Sequence, residues 1–186
     1  MPTKYTMISI RRQFVGQTVV YNHVVRRRPI RMGHSISAIV FAGDADPDAI
    51  TKYDAKLAEC MDGFTLVAIE ESYVDAWAER LDIAGAFAEI PLLNFRVVHH
   101  IANALGSGRP FAIIETEYFG GRGTQSAAVY HGESELMPPI NAESDAINDA
   151  LRLLGVARVD SLDEFDTFGL GTTRSWRSTF ESYWKR

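Results

Sequence analysis

The chain has 186 residues, 46% of them hydrophobic and 23% charged. That is enough for one well-packed domain, with proportions unlike those of a disordered chain or a fibre. Its 24 acidic residues outnumber 19 basic ones, a net charge of −5 that argues against nucleic-acid binding, which needs a basic field. A single cysteine, Cys60, rules out an intramolecular disulfide and a cysteine-based zinc site, and suits a reducing cytoplasm.

In chain order, MPTKYTMISIRRQF has no long apolar core and no small-residue cleavage site, so it does not read as a secretory signal. The apolar runs fall far short of the ~20 residues that cross a bilayer, so no membrane is expected. Residues Tyr5 to Ile10 and Thr18 to Val25 are rich in β-formers. The basic loop Arg26-Arg27-Arg28-Pro29 separates them from a third apolar run, Ile36 to Ala42, ended by Gly43. Asp46-Pro47 is a helix start, with an N-cap and a proline at the first helical position. Ile50, Tyr53, Leu57, Cys60 and Met61 follow at helical spacing, which predicts a helix reaching Gly63.

Phe64 to Ile69 reads as a buried strand. Ser72 and Asp75 suggest a capping box opening a helix through Val74, Trp77 and Leu81. Pro91 breaks the chain before another helix through Val97, Val98, Ile101 and Leu105. Then Phe111 to Tyr130, FAIIETEYFGGRGTQSAAVY, presents two β-prone runs bridged by Gly120-Gly121-Arg122-Gly123, the pattern of a hairpin. Pro138-Pro139 reads as a turn. Ser144 is expected to cap a helix carrying Ile147, Leu151 and Leu154, and Ser161 with Glu164 a short helical turn ending at Gly169. From Thr172, the four-residue steps Trp176, Phe180 and Trp184 predict a helix with one aromatic face. Hairpins mixed with helix pairs predict a single α+β domain over 1–186, with a mixed or mainly antiparallel sheet and helices packed on it.

Few residues invite chemistry. Asp44, Asp46 and Asp48 match the start of a calcium loop, but Ala49 and Ala55 stand where it requires Gly and Glu. The carboxylates are better explained by helix capping. Adjacent His99 and His100 point about 100° apart on a helix, so they do not share a metal; one is expected to pack inward and the other to meet solvent. Cys60, on an apolar stripe, reads as a structural thiol rather than a nucleophile. Ser35 and Ser37 do not fit the nucleophile elbow. The three arginines at 26–28 lack interleaved aromatics and read as a solvated loop. Arg122 and the glycine-rich loop could cradle an anion, but a strand rather than a helix follows, which favours a plain hairpin turn.

Glu115 and Glu117 project from one face of their strand, together with Phe111, Ile113 and Phe119. Two acids on a largely apolar face must lie near a sheet edge or be paired. They suit acid/base work, a partner's Arg or Lys, or a salt bridge to this chain's own arginines.

Three segments, ETEYFGGRGTQSAAVY at 115–130, INDALRLLGV at 147–156 and DEFDTFGL at 163–170, together resemble a group of small bacterial proteins. That group shares a YFGG-x-G-x-Q hairpin, an IN-x-AL helix ending in LGV and a DEF-x-x-x-GL segment. The resemblance covers roughly the C-terminal 40% of the chain. It implies that the hairpin and the DEF segment form one structural unit, and it transfers no catalytic residue.

The first functional expectation is a protein-binding module, an immunity- or antitoxin-type inhibitor of a bacterial toxin with a basic surface. It would work through Glu115, Glu117, Tyr118, Arg122, Gln125, Asp163, Glu164 and Asp166, without catalytic residues, metal or cofactor. The alternatives are a small enzyme or ligand-binding domain using Glu115, Glu117 and Arg122, and a structural subunit of a larger assembly.

Overall fold

The computed structural model describes residues 8–14, 17–23, 33–85, 95–119, 122–159 and 161–183. The basic loop at 26–28, the Pro91 break, the Gly120-Gly121 tip and Trp184 lie outside them. The chain divides into two compact units, Met1–Arg31 and Met32–Arg186. In the first, β1 (Ile8–Phe14) and β2 (Gln17–His23) form an antiparallel hairpin running from the pair Ile8–His23 to the pair Phe14–Gln17.

The second unit is α+β. Its antiparallel sheet contains β3 (His34–Ala42), β4 (Lys56–Ala58), β5 (Phe64–Ile69), β6 (Phe111–Phe119), β7 (Arg122–His131) and β8 (Ser134–Ala142) in the spatial order β4-β5-β3-β6-β7-β8. The expected hairpin is present: Phe111 faces Tyr130, Glu115 faces Ser126 and Phe119 faces Arg122. Arg122 therefore belongs to a strand and not to the loop. Gly123 permits this pairing, because a Cβ there would lie 1.9 Å from the Glu117 carbonyl oxygen.

Helices cover both faces. α1 (Pro47–Tyr53), α2 (Glu71–Leu81) and α3 (Arg96–Leu105) belong to one layer. There His99 packs edge-on against Phe111 and Tyr130, with ring centroids 5.5 and 4.2 Å apart. α4 (Ala146–Leu153) and α5 (Glu164–Phe168) cover the opposite face, where Phe168 meets Phe64. On that face His34 donates from Nε2 to the Leu170 carbonyl at 3.2 Å, so its Nδ1 accepts from the Thr116 hydroxyl at 2.6 Å. The central strands β3 and β6 are apolar on both sides because both sides are covered, and Ile39, Phe41, Ile113 and Ile114 are completely buried.

Several expected boundaries move for local reasons. Asp46 caps α1 as expected, its Oδ1 accepting from the Asp48 and Ala49 amides at 2.9 Å. The helix stops at Tyr53, however, because Asp54 turns left-handed at φ 49°. Leu57 then lies on β4, and Cys60 lies in the following loop, half-buried, its thiol 3.4 Å from the Phe64 carbonyl. Pro138 and Pro139 do not make a turn. They stand inside β8, where the register passes from Ala127–Ile140 to Val129–Met137. Two residues there oppose one, a bulge in an edge strand, where proline's missing N–H is tolerated.

The expected caps shift too. Glu70, not Ser72, caps α2 by accepting from the Ser72 amide. Asp145 precedes α4 without a side-chain cap bond; Gln125 of β7 supplies the acceptor instead, for the Ile147 amide at 3.3 Å. Asp163, not Ser161, caps α5 through the Asp166 amide. The segment after Thr172 is not an α-helix: Arg177–Tyr183 forms 3₁₀ turns kinked at Phe180. Trp176, Phe180 and Tyr183 are its buried aromatics.

Candidate functional site

The site begins with strand lengths. β5 ends at Ile69, opposite Ser37, so the edge of β3 before Ser37 is left without that neighbour. The C-terminal segment fills it. The Ser35 amide donates to the Arg174 carbonyl at 2.9 Å, Ser35 bridges Ser175 in parallel, and Arg174 Nη1 donates to the Gly33 carbonyl at 3.1 Å. Immediately after Ile69 the chain turns into α2, which brings the first turn of that helix over the same end of the sheet.

Between the sheet, the start of α2 and the C-terminal segment lies an open cleft of about 640 Å³, within the range of small-ligand and side-chain pockets. Ser35, Ser37 and Glu115 line it from the sheet, Glu71 and Asp75 from α2, and Trp176 from the C-terminal segment. Glu70 and Arg177 also reach it. Glu70 is engaged in capping, accepting from both the Ser72 amide and the Ser72 hydroxyl.

Glu115 is the unusual member. It sits mid-strand, opposite Ser37 on one side and Ser126 on the other, half-buried and with no ion-pair partner among the described residues. Loss of water, and secondarily the repulsion of Glu117, push its carboxyl up to about 7. It therefore changes charge near neutral pH, and ionising it leaves a half-desolvated anion in need of a cation.

The other sequence-selected residues divide. Glu117 lies on the same face and is exposed, as is Phe119 further out, so the face grades from an exposed end at Phe119 to the cleft. Tyr118 points to the opposite face, its hydroxyl donating to the Glu143 carbonyl at 2.7 Å. Arg122 is exposed on β7, and Gln125 serves α4. Asp163 and Asp166 are engaged at the start of α5. Glu164 is buried, its Oε1 accepting from Arg158 Nε at 2.9 Å and Arg152 Nε at 2.8 Å. These two bonds hold its carboxyl down at about 2. Glu164 thus fastens α5 to α4 and does not face outward. Together with Gln125–Ile147, and with Asn148 Oδ1 accepting from the Phe165 amide at 2.8 Å, it joins the hairpin, the α4 segment and the DEF segment into one unit.

His99 is buried and held near 4 by burial, so it is neutral at physiological pH, whereas His100 is exposed and bonds the Tyr53 hydroxyl at 3.0 Å. Burial also raises the Cys60 thiol above its ordinary value, the wrong direction for a nucleophile. Among the described residues no three His, Cys, Asp or Glu side chains gather as a metal site, and no helix is long and apolar enough to cross a membrane. Sequence reasoning did not select Ser37, Glu71, Asp75 or Trp176. Asp75 reads from the sequence as part of a capping box, and only the β3–β5–β6 register reveals that this helix start faces Glu115. No family model, curated protein or solved structure matches the chain.

Proposed function

We propose that the protein is a binding module for another protein, an immunity- or antitoxin-type inhibitor that receives a basic surface of a bacterial toxin. The observation that carries this reading is Glu115: a half-buried carboxylate with no ion-pair partner among the described residues, in an open cleft that also holds Glu71, Asp75 and Arg177. A carboxylate so placed gains most from a cation supplied from outside, because the desolvation cost is already partly met in the free protein. Exposed Glu117 and Phe119 extend the same face toward the hairpin tip, an acidic and aromatic surface of the kind that steers and anchors a basic partner.

The test is the affinity of the purified chain for the product of the neighbouring gene. Reversing the charge at Glu115 is expected to weaken binding by about 2–5 kcal/mol, mainly through faster dissociation; reversing exposed Glu117 is expected to slow association. Circular dichroism confirms that each variant is folded. Unchanged affinity in folded Glu115→Lys would refute this reading. An enzymatic reading is favoured by one observation, that Glu115 titrates near 7, where a general base works best. Turnover in a small-molecule hydrolase screen that Glu115→Gln abolishes, with no binding to the toxin, would replace inhibition with catalysis.

A further inference from the structure

Resting on that reading, we infer that the cleft is specific for an arginine side chain of the partner, its guanidinium against Glu115 and its stem alongside Trp176. Three observations on different elements point to this chemistry.

First, the acceptors are many and dispersed. Glu115 and the hydroxyls of Ser35 and Ser37 lie on the sheet, with Glu71 and Asp75 across the cleft on α2. A guanidinium presents five N–H donors in a rigid plane and can address several such acceptors at once, whereas an ammonium concentrates three donors at a point. Second, the seat is partly dry, since loss of water is the main cause of the Glu115 shift. Guanidinium is more weakly hydrated than ammonium and loses less on entering such a site. Third, Trp176 lines the cleft, is 92% buried given its 8% exposure, and its Nε1–H has no hydrogen-bond acceptor among the described residues. A buried donor left unpaired is costly. An arginine residue suits this wall, because its cation can lie beside the indole ring while its stem packs along it.

Entry of the cation is coupled to a proton. Among the described residues the charged groups around Glu115 are Glu117 on its own strand, Glu70 at the cap of α2, Glu71 and Asp75 on α2, and Arg177 on the C-terminal segment; its neighbours on β3 and β7 are uncharged serines. Burial raises the Glu115 carboxyl to about 7. An arriving guanidinium selects its ionised form and expels the proton held at lower pH.

The probe is N-acetyl-arginine methylamide, with N-acetyl-lysine methylamide as comparison, titrated into the ¹⁵N-labelled protein at pH 6 and pH 8. The readout is the indole N–H resonance of Trp176, assigned with Trp176→Phe. The arginine compound is expected to shift that resonance and to bind about tenfold more tightly at pH 8 than at pH 6, following the ionised fraction of a group titrating near 7. The lysine compound is expected to bind several-fold more weakly. Glu115→Gln, whose dispersed spectrum would show it folded, is expected to bind weakly and equally at both pH values. Equal affinity for the two compounds, no shift at Trp176, or unchanged pH dependence in Glu115→Gln would overturn the inference. If the toxin binds through Glu115 while the arginine compound does not, only the arginine assignment falls. If the compound binds and the toxin does not, the site stands and the inhibitor reading falls.

Discussion

Glu115 shows how one residue can be placed against its own solvation. Its strand position is set by the register with Ser37 and Ser126, and the cleft above leaves it only partly wet. Its folded value of about 7 lies above the ordinary 4.5, so folding takes up a proton between those limits. The stability associated with this group is fully present below pH 4.5 and is lost as the pH rises through 7. Glu115→Gln, which cannot ionise, is therefore expected to melt a few degrees higher than the parent at pH 8 and at the same temperature at pH 4. Thermal unfolding followed by circular dichroism at the two pH values checks this. A variant less stable at pH 8 would mean that the carboxylate has a cationic partner in the folded protein.

At the scale of elements, the α4–α5 pair is held by polar groups in a mostly apolar layer. Buried Glu164 binds Arg152 and Arg158 while Asn148 holds the Phe165 amide. Because hydrogen bonds from the two arginines pull Glu164 down to about 2 from 4.5, its contribution is present above pH 4.5 and is lost as the pH falls through 2. Glu164→Gln is expected to lower the melting temperature by several degrees at pH 7 and to flatten the decline on acidification, measured by thermal melts from pH 7 to pH 2. The hairpin and the strand at Phe64–Ile69 were legible because their apolar runs are long and bounded by glycines, Gly63 before the strand and Gly120-Gly121 between the hairpin's two runs. The end of α1 was not, since Leu57, Cys60 and Met61 continue a helical spacing that the left-handed turn at Asp54 interrupts. Pro138-Pro139 misled in the opposite direction: a turn signal was absorbed into an edge bulge, a decision made by the neighbouring strand. Two caps moved by two residues, from a serine to a nearby acid, at Glu70 and Asp163.

The whole second unit closes through its C-terminal aromatics. Tyr73 packs against Phe180 and Tyr183 at centroid distances of 5.4 and 5.3 Å, and Tyr53 against Trp77 at 5.3 Å. This cluster ties the C-terminal segment to α1 and α2. Phe180 is completely buried, so Phe180→Ala is expected to cost about 3–5 kcal/mol, and roughly 10 °C in melting temperature for a unit of this size. An unchanged melt would show that the segment does not hold the fold together. The sequence disclosed the aromatic spacing but not that the segment also walls the cleft, since Ser35, Glu115 and Ser175 meet only through sheet order. That pairing carries a consequence for synthesis. A nascent chain that has emerged from the ribosome only as far as α4 already contains β3, β6 and the start of α2, yet it lacks Ser175 and Trp176. The carboxylates would then stand in an unwalled groove, so the cleft is completed only once the chain through Trp176 has emerged, later than the sheet it stands on can form.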